Sequence, residues 1–331
     1  MGKRELAHPS RCKFARRRPG CPFRGQTVGH AYGATTPRQE LVMTNNSASY
    51  QRILLMVPAG SGPCPALAQG IALARRTQAR IILQACTEAG DADADSASWL
   101  ASTLTLLRGE GIEASGHLLA GPLKPDALLA DIGRFAPDLV IKQPGKNSAL
   151  RRLFSTPEDQ ALARQCPVPL MVVGSRGDHV PHRVLAAVDI VEAAGADDLN
   201  AGVIAQAERL AAATGAEVHV AHAVEPVINM PEDAGLQGVA ATPVLTEELQ
   251  ALHRERFRIL ADRYRVPEQR RHLVFGSVDI ALEELSERIG AEVIVAGHHP
   301  RGALERFLVG STSEHLLSHG KQSVLIVRQP H

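Results

Sequence analysis

The sequence predicts an α/β protein: two tandem doubly wound parallel-sheet domains, each a Rossmann-like sandwich. Three observations predict it. The apolar segments are short continuous runs, such as ILLMV after Arg52 and VLAAV after Arg183, which suit strands buried on both faces. Segments of helical period alternate with them, the pattern of a parallel sheet covered by helices. The pattern also occurs twice. Shifted back by 154 residues without a gap, the stretch from Val293 to Val327 lies over one that ends at Val173. Leu304 then falls on Leu150, Leu316 on Leu162, and Leu325-Ile326-Val327 on Met171-Val172-Val173.

Each half follows the same order. A strand (ILLMV; VLAAV) leads to an Ala/Leu-rich helix, ALAQGIALARR from Ala66 or LNAGVIAQAERLAAA from Leu199. A second strand follows, ARIILQA from Ala79 or AEVHVAHA from Ala216. After a variable segment come a third strand, HLLAG from His117 or HLVFG from His272, and a helix, PDALLADIGRF or DIALEELSERI. In the latter, Leu282, Leu285 and Ile289 recur at helical spacing. The repeated stretch closes each half with strand, loop, helix and strand. Right-handed crossovers make this order doubly wound. The polar, Gly- and Pro-containing linker Gly174–His182 separates domains at residues 50–174 and 183–331. An insertion from Glu225 to about Pro267 is predicted to hold a helix with Leu245, Leu249 and Leu252 on one face.

Composition narrows the function. With 331 residues, 44 % hydrophobic and 21 % charged, the chain has the size of two ordinary globular domains. It contains no apolar run of about 18 residues, the length expected of a membrane span. Residues 1–42 carry nine Lys/Arg and two acids; with +1 overall, the rest of the chain holds −6. A mildly acidic body argues against nucleic acid as a partner. Residues 1–49 read as a disordered basic extension without a fold role, with Met43 opening the more typical sequence MTNNSASYQRILLMV. Five cysteines without a Cys-x-x-Cys pair suit a reducing, cytoplasmic setting.

In such sheets, ligands bind beyond the carboxyl ends of strands where the winding reverses. Asp189 ends the first strand of the second half and Gly297 the fourth, so both face one crevice. Gly310-Ser311-Thr312 then opens a helix, whose N-terminal N–H groups and dipole favour an anion. The spacing Ser311-x-x-Glu314 is also a capping box, which starts a helix without any ligand.

At these residues the sequence resembles the universal stress protein family, over roughly residues 50–328, and it is most similar to the tandem two-domain members. The family signature is Gly, two residues, Gly, nine residues, Gly, then Ser or Thr. Gly297, Gly310 and Ser311 match three of its four positions, and Pro300 stands at the other. The resemblance implies that Asp189 contacts adenine, with a backbone contact near Ala223. It also implies that His299, Thr312 and Ser313 lie on the phosphate or ribose side. ATP or a related adenine nucleotide is thus expected in the second half. Pro300 lacks an N–H and fixes φ, which removes one donor to phosphate. In the first half, Pro58 replaces the acid. Thr156-Pro157-Glu158-Asp159 makes a capped helix start whose carboxylates repel an anion, so no nucleotide is expected there.

Other chemistry is sparse. His315 and His319 have metal-chelating i, i+4 spacing, but no suitably spaced carboxylate or cysteine accompanies them, so no metal site is predicted. His219 and His222 should point to opposite faces of their strand. No nucleophile or general base is recognisable. The resemblance implies an intramolecular pseudo-dimer paired through the last strands, VPLMVV from Val168 and SVLIVR from Ser323; a homodimer is the other pairing of this kind. Three readings remain open: a cytoplasmic stress-response protein with a nucleotide site, an interaction scaffold with both sites degenerate, and a slow ATP-hydrolysing enzyme.

Overall fold

The computed structural model describes residues 49–60, 62–87, 94–119, 125–144, 162–175, 177, 179–190, 196–225, 227–228, 243–244, 247–298 and 321–328. All belong to one compact unit that begins at Thr44.

The first half contributes β1 (Arg52–Pro58), α1 (Pro65–Thr77), β2 (Arg80–Cys86), α2 (Ala94–Gly109), β3 (Ala114–Leu119), α3 (Pro125–Phe135), β4 (Leu139–Lys142) and β5 (Leu170–Val172). The second contributes β6 (Arg183–Ala187), α4 (Ala196–Thr214), β7 (Glu217–Val224), β8 (Val227–Ile228), β9 (Pro243–Val244), α5 (Glu247–Arg263), β10 (Arg271–Phe275), α6 (Val278–Ile289), β11 (Val293–His298) and β12 (Ser323–Arg328). Strands β8 and β9 pair only with each other. The other ten form one sheet, in the order β10-β7-β6-β11-β12-β5-β4-β1-β2-β3.

Within the large sheet every strand pair inside a half is parallel, and the winding reverses between β1 and β4 and between β6 and β11. The halves meet where β12 runs antiparallel to β5, with Leu325 opposite Met171. The two last strands therefore pair as the family resemblance implies.

Burial on both faces explains why the strands read as unbroken apolar runs. In β1, Ile53, Leu55 and Val57 belong to a core beneath α1, α2, α4 and α5, while Leu54 and Met56 belong to the opposite core beneath α3 and α6. Helices α1 and α4 also pack together across the seam. There the guanidinium of Arg209 lies 4.2 Å from the centroid of the buried Tyr50 ring. It also donates to the Ser49 carbonyl at 2.9 Å.

The structure corrects some boundaries. The third strand of the first half begins at Ala114, three residues before His117. Gly297 lies inside β11, opposite Val327, because the strand continues to His298. The inserted helix exists as α5, but its buried face is Phe257, Leu260 and Ala261. Leu252 is 45 % exposed, and Leu245 lies outside the described residues. The helix packs on β7 and β10, and it buries the side chains near its C-terminal end.

The seam supports a stability prediction. Leu325 is fully buried, so Leu325→Ala should cost about 2–5 kcal/mol. Urea denaturation should show one transition at a lower midpoint for both halves together. Loss of the second half alone, as a separate step, would contradict a shared core.

Candidate functional site at the carboxyl ends of β6, β7 and β11

Past β6, the Val188 N–H donates to the Ala221 carbonyl at 2.9 Å. The next residue, Asp189, is held by α4. Its N–H donates to Asn200 Oδ1 at 2.9 Å, and Asn200 Nδ2 donates back to the Asp189 carbonyl at 2.5 Å. Asn200 is 4 % exposed, so a buried amide fixes the Asp189 backbone while its side chain remains exposed.

Ala223 lies two residues beyond Ala221 on β7. Strand geometry turns its peptide groups the same way as those of Ala221, toward the side where β6 has already ended. Gly297 occupies the last turn of β11 before the crevice. A Cβ there would sit 2.6 Å from Leu199 Cγ. The missing side chain lets the first turn of α4 approach the strand, and that turn carries Asn200.

Thus Asp189, Ala223 and Gly297 sit at one end of three neighbouring strands. His299, Gly310, Ser311, Thr312 and Ser313 lie outside the described residues, as do Pro300, His315, His319 and the Thr156–Asp159 segment.

Beside Asp189 stands a histidine pair that sequence reasoning did not connect. His222 Nδ1 is 3.0 Å from the Val188 carbonyl, and His222 Nε2 is 3.0 Å from His253 Nδ1 on α5. The rings stack at 5.2 Å. A carbonyl only accepts, so His222 Nδ1 carries the proton, Nε2 accepts, and His253 Nδ1 donates. Burial pushes the His222 pKa down, against the pull of the Val188 carbonyl and Asp189. Burial also lowers that of His253, aided by Arg256 and opposed by Asp189. On the opposite sheet face, His219 Nδ1 meets His272 Nε2 at 2.9 Å. The divergence of His219 and His222 follows the strand alternation.

The corresponding crevice of the first half differs. Met56 pairs with Lys142 as Ala187 pairs with Ala296, so Gln143 corresponds to Gly297. Gln143 Oε1 accepts from the Ala66 N–H at 3.0 Å and faces Cys64 Sγ at 3.7 Å. Helix α1 begins with Pro65 and has no side-chain cap from its N-cap residue; Gln143 supplies that acceptor from β4. The helix-end donor that an anion would use is therefore engaged. The repeat shift already placed Gln143 on Gly297, and that was the available signal. Asn200 left none, because a polar residue in a helix does not announce which distant backbone it clamps.

A doubly wound parallel sheet with a carboxylate and a close-packed glycine at its switch point is the architecture of nucleotide-fold proteins. Residues 181–328 match the family model described as Universal stress protein family. The chain thus carries a universal stress protein domain over residues 181–328. It is 26 % identical over 214 residues to Universal stress protein E homolog of Haemophilus influenzae, covering 62 % of this chain and 67 % of that one. It is 22 % identical over 303 residues to Universal stress protein E of Photorhabdus laumondii, covering 85 % and 96 %. A Pseudomonas aeruginosa UCBPP-PA14 crystal structure bearing the universal stress protein name superposes with a TM-score of 0.67 at 24 % identity, over 86 % of this chain and 96 % of that one. A universal stress protein from Archaeoglobus fulgidus gives 0.55 at 15 %, over 84 % and 96 %. These two structural likenesses establish the fold.

Two measurements check this geometry. Gly297→Ala should destabilise by about 1–3 kcal/mol, because Leu199 must move; an unchanged melting temperature would show that the contact yields freely. The second is pH dependence. With imidazole pKa values lowered by folding, the folded chain binds fewer protons than the unfolded chain below the ordinary value of about 6.5. This stability is complete above that pH and declines as pH falls below it. The urea midpoint should therefore drop between about pH 7.5 and 5.5, on either side of that value, and drop less in His253→Gln. A midpoint equal at both pH values would contradict the neutral pairs.

Proposed function

We propose that the chain serves a stress response in the cytoplasm and that its second domain, residues 183–331, binds ATP or a related adenine nucleotide. The first domain, residues 50–174, binds none. One observation carries this reading: Gln143 engages the helix-end donor in the first crevice, whereas Gly297 puts no side chain into the second. In the second crevice, Asp189 is pinned through its backbone and accepts from the adenine or ribose, with Ala223 offering backbone groups beside it. Gly297, Gly310, Ser311 and Thr312 hold phosphate by backbone and hydroxyl donors, with His299 and Ser313 flanking.

A scaffold function without nucleotide is favoured by two features. Pro300 removes an amide from the loop, and Asp197 and Asp198 stand in the first turn of α4. Titration with ATP and AMP decides. The wild type should bind, and Asp189→Ala should weaken binding about tenfold, the scale of one hydrogen bond to a charged group. Pro300→Gly should tighten ATP more than AMP, because the restored amide serves phosphate. If calorimetry detects neither nucleotide in the wild type or in Pro300→Gly, the nucleotide reading fails and the scaffold reading stands.

A further inference from the structure

A second cluster lies at the opposite end of the same strands, where β6 and β11 begin. Glu292 immediately precedes β11. Its Oε2 accepts from the backbone N–H of His182 at 3.1 Å and of Arg183 at 2.9 Å. That pair of bonds ties the entry of β11 to the entry of β6 and fixes the carboxylate plane. The other oxygen, Oε1, then faces two imidazoles, His182 Nδ1 at 3.2 Å and His179 Nε2 at 3.7 Å. Both histidines belong to the linker between the halves, in the sequence His179-Val180-Pro181-His182.

We propose that His179, His182 and Glu292 form a binding site for a divalent transition metal of the zinc type. One ligand atom from each residue already lies within 4.8 Å of the other two. Metal–ligand bonds of about 2.0–2.2 Å place ligand atoms roughly 3.3–3.6 Å apart in a tetrahedron, so the cluster needs only a small contraction. The His179 and His182 side chains, 46 % and 82 % exposed, have room to shift by that amount. The fixed partner is the carboxylate. The two backbone N–H groups of His182 and Arg183 hold its Oε2, which leaves Oε1 directed at the imidazoles.

Two imidazoles and one carboxylate suit zinc or cobalt, which favour nitrogen and oxygen donors, over magnesium or calcium, which favour oxygen alone. Arg183 turns its guanidinium toward the Ile289 carbonyl at 2.9 Å and Glu217 at 3.5 Å. Three protein ligands leave a fourth position for water. The metal would fasten the linker to the sheet of the second half. The site lies at the amino ends of the strands and does not depend on the nucleotide reading at their carboxyl ends.

The test uses the full chain without a histidine tag, stripped with chelator and titrated with Co2+, followed by Zn2+ competition. One equivalent of Co2+ should give visible d–d absorption that Zn2+ abolishes, and Zn2+ should raise the melting temperature. His179→Ala and His182→Ala should each weaken uptake at least about tenfold, and so should Glu292→Gln, which keeps an acceptor for the two backbone N–H groups. The double variant His315→Ala/His319→Ala should bind as the wild type does. Absence of cobalt uptake, or uptake unchanged by His179→Ala and His182→Ala, would overturn the proposal and leave a His–Glu ion pair.

Discussion

Everything in this molecule depends on the antiparallel pairing of β5 with β12. In each half the strand order puts the last strand at an edge, with apolar side chains on both faces and a row of unused backbone groups. Such an edge invites pairing with whatever is available. Here each half covers the edge of the other, and the two five-stranded units become one ten-stranded sheet. The approach is close. A Cβ on Gly174 would come within 2.3 Å of the Gln322 carbonyl oxygen, and the Gly174 N–H instead donates to Ser323 Oγ at 3.2 Å. The Arg209–Tyr50 contact and the α1–α4 packing close the same seam from above one sheet face. Fixing the seam fixes both crevices, because each lies only two strands away.

Within that symmetric frame the two crevices have diverged by small means. The backbone around Gln143 and Gly297 has the same register, yet one residue reaches into the crevice to cap a helix and the other withdraws so that a different helix can approach. Capping makes the first crevice a structural joint. Close approach in the second brings Asn200 to Asp189, and His222 and His253 line up beside it. Among the described residues, the clamp and the imidazole pair belong to the second half alone, so duplication of the fold left each copy free to use the same corner differently.

Much of the architecture is legible in the sequence. Strands buried on both faces produce unbroken apolar runs, and a duplicated order reveals itself as a shift. Helix α3, PDALLADIGRF, begins and ends where its pattern does. Legibility fails where a contact joins distant elements. Leucines at helical spacing pointed to Leu252, but α5 is buried through Phe257, Leu260 and Ala261, because the face turned to the sheet runs through these residues and His253. The Asp189–Asn200 clamp, the His222–His253 pair and the His179–His182–Glu292 cluster all cross between elements, and none has a periodic signature. His315 and His319, which do have one, lack a carboxylate at a matching spacing.

The seam has one more consequence, in the time course of folding. Val172 and Val324 are 152 residues apart, whereas the widest separation within a half is 109, between Val184 and Val293. Joining β5 to β12 therefore closes the longest loop in the sheet, with the largest entropic cost. The local pairings of each half come first. Until the seam closes, Leu170, Met171 and Val172 offer an open apolar edge, and during that interval a neighbouring copy competes with the chain's own second half.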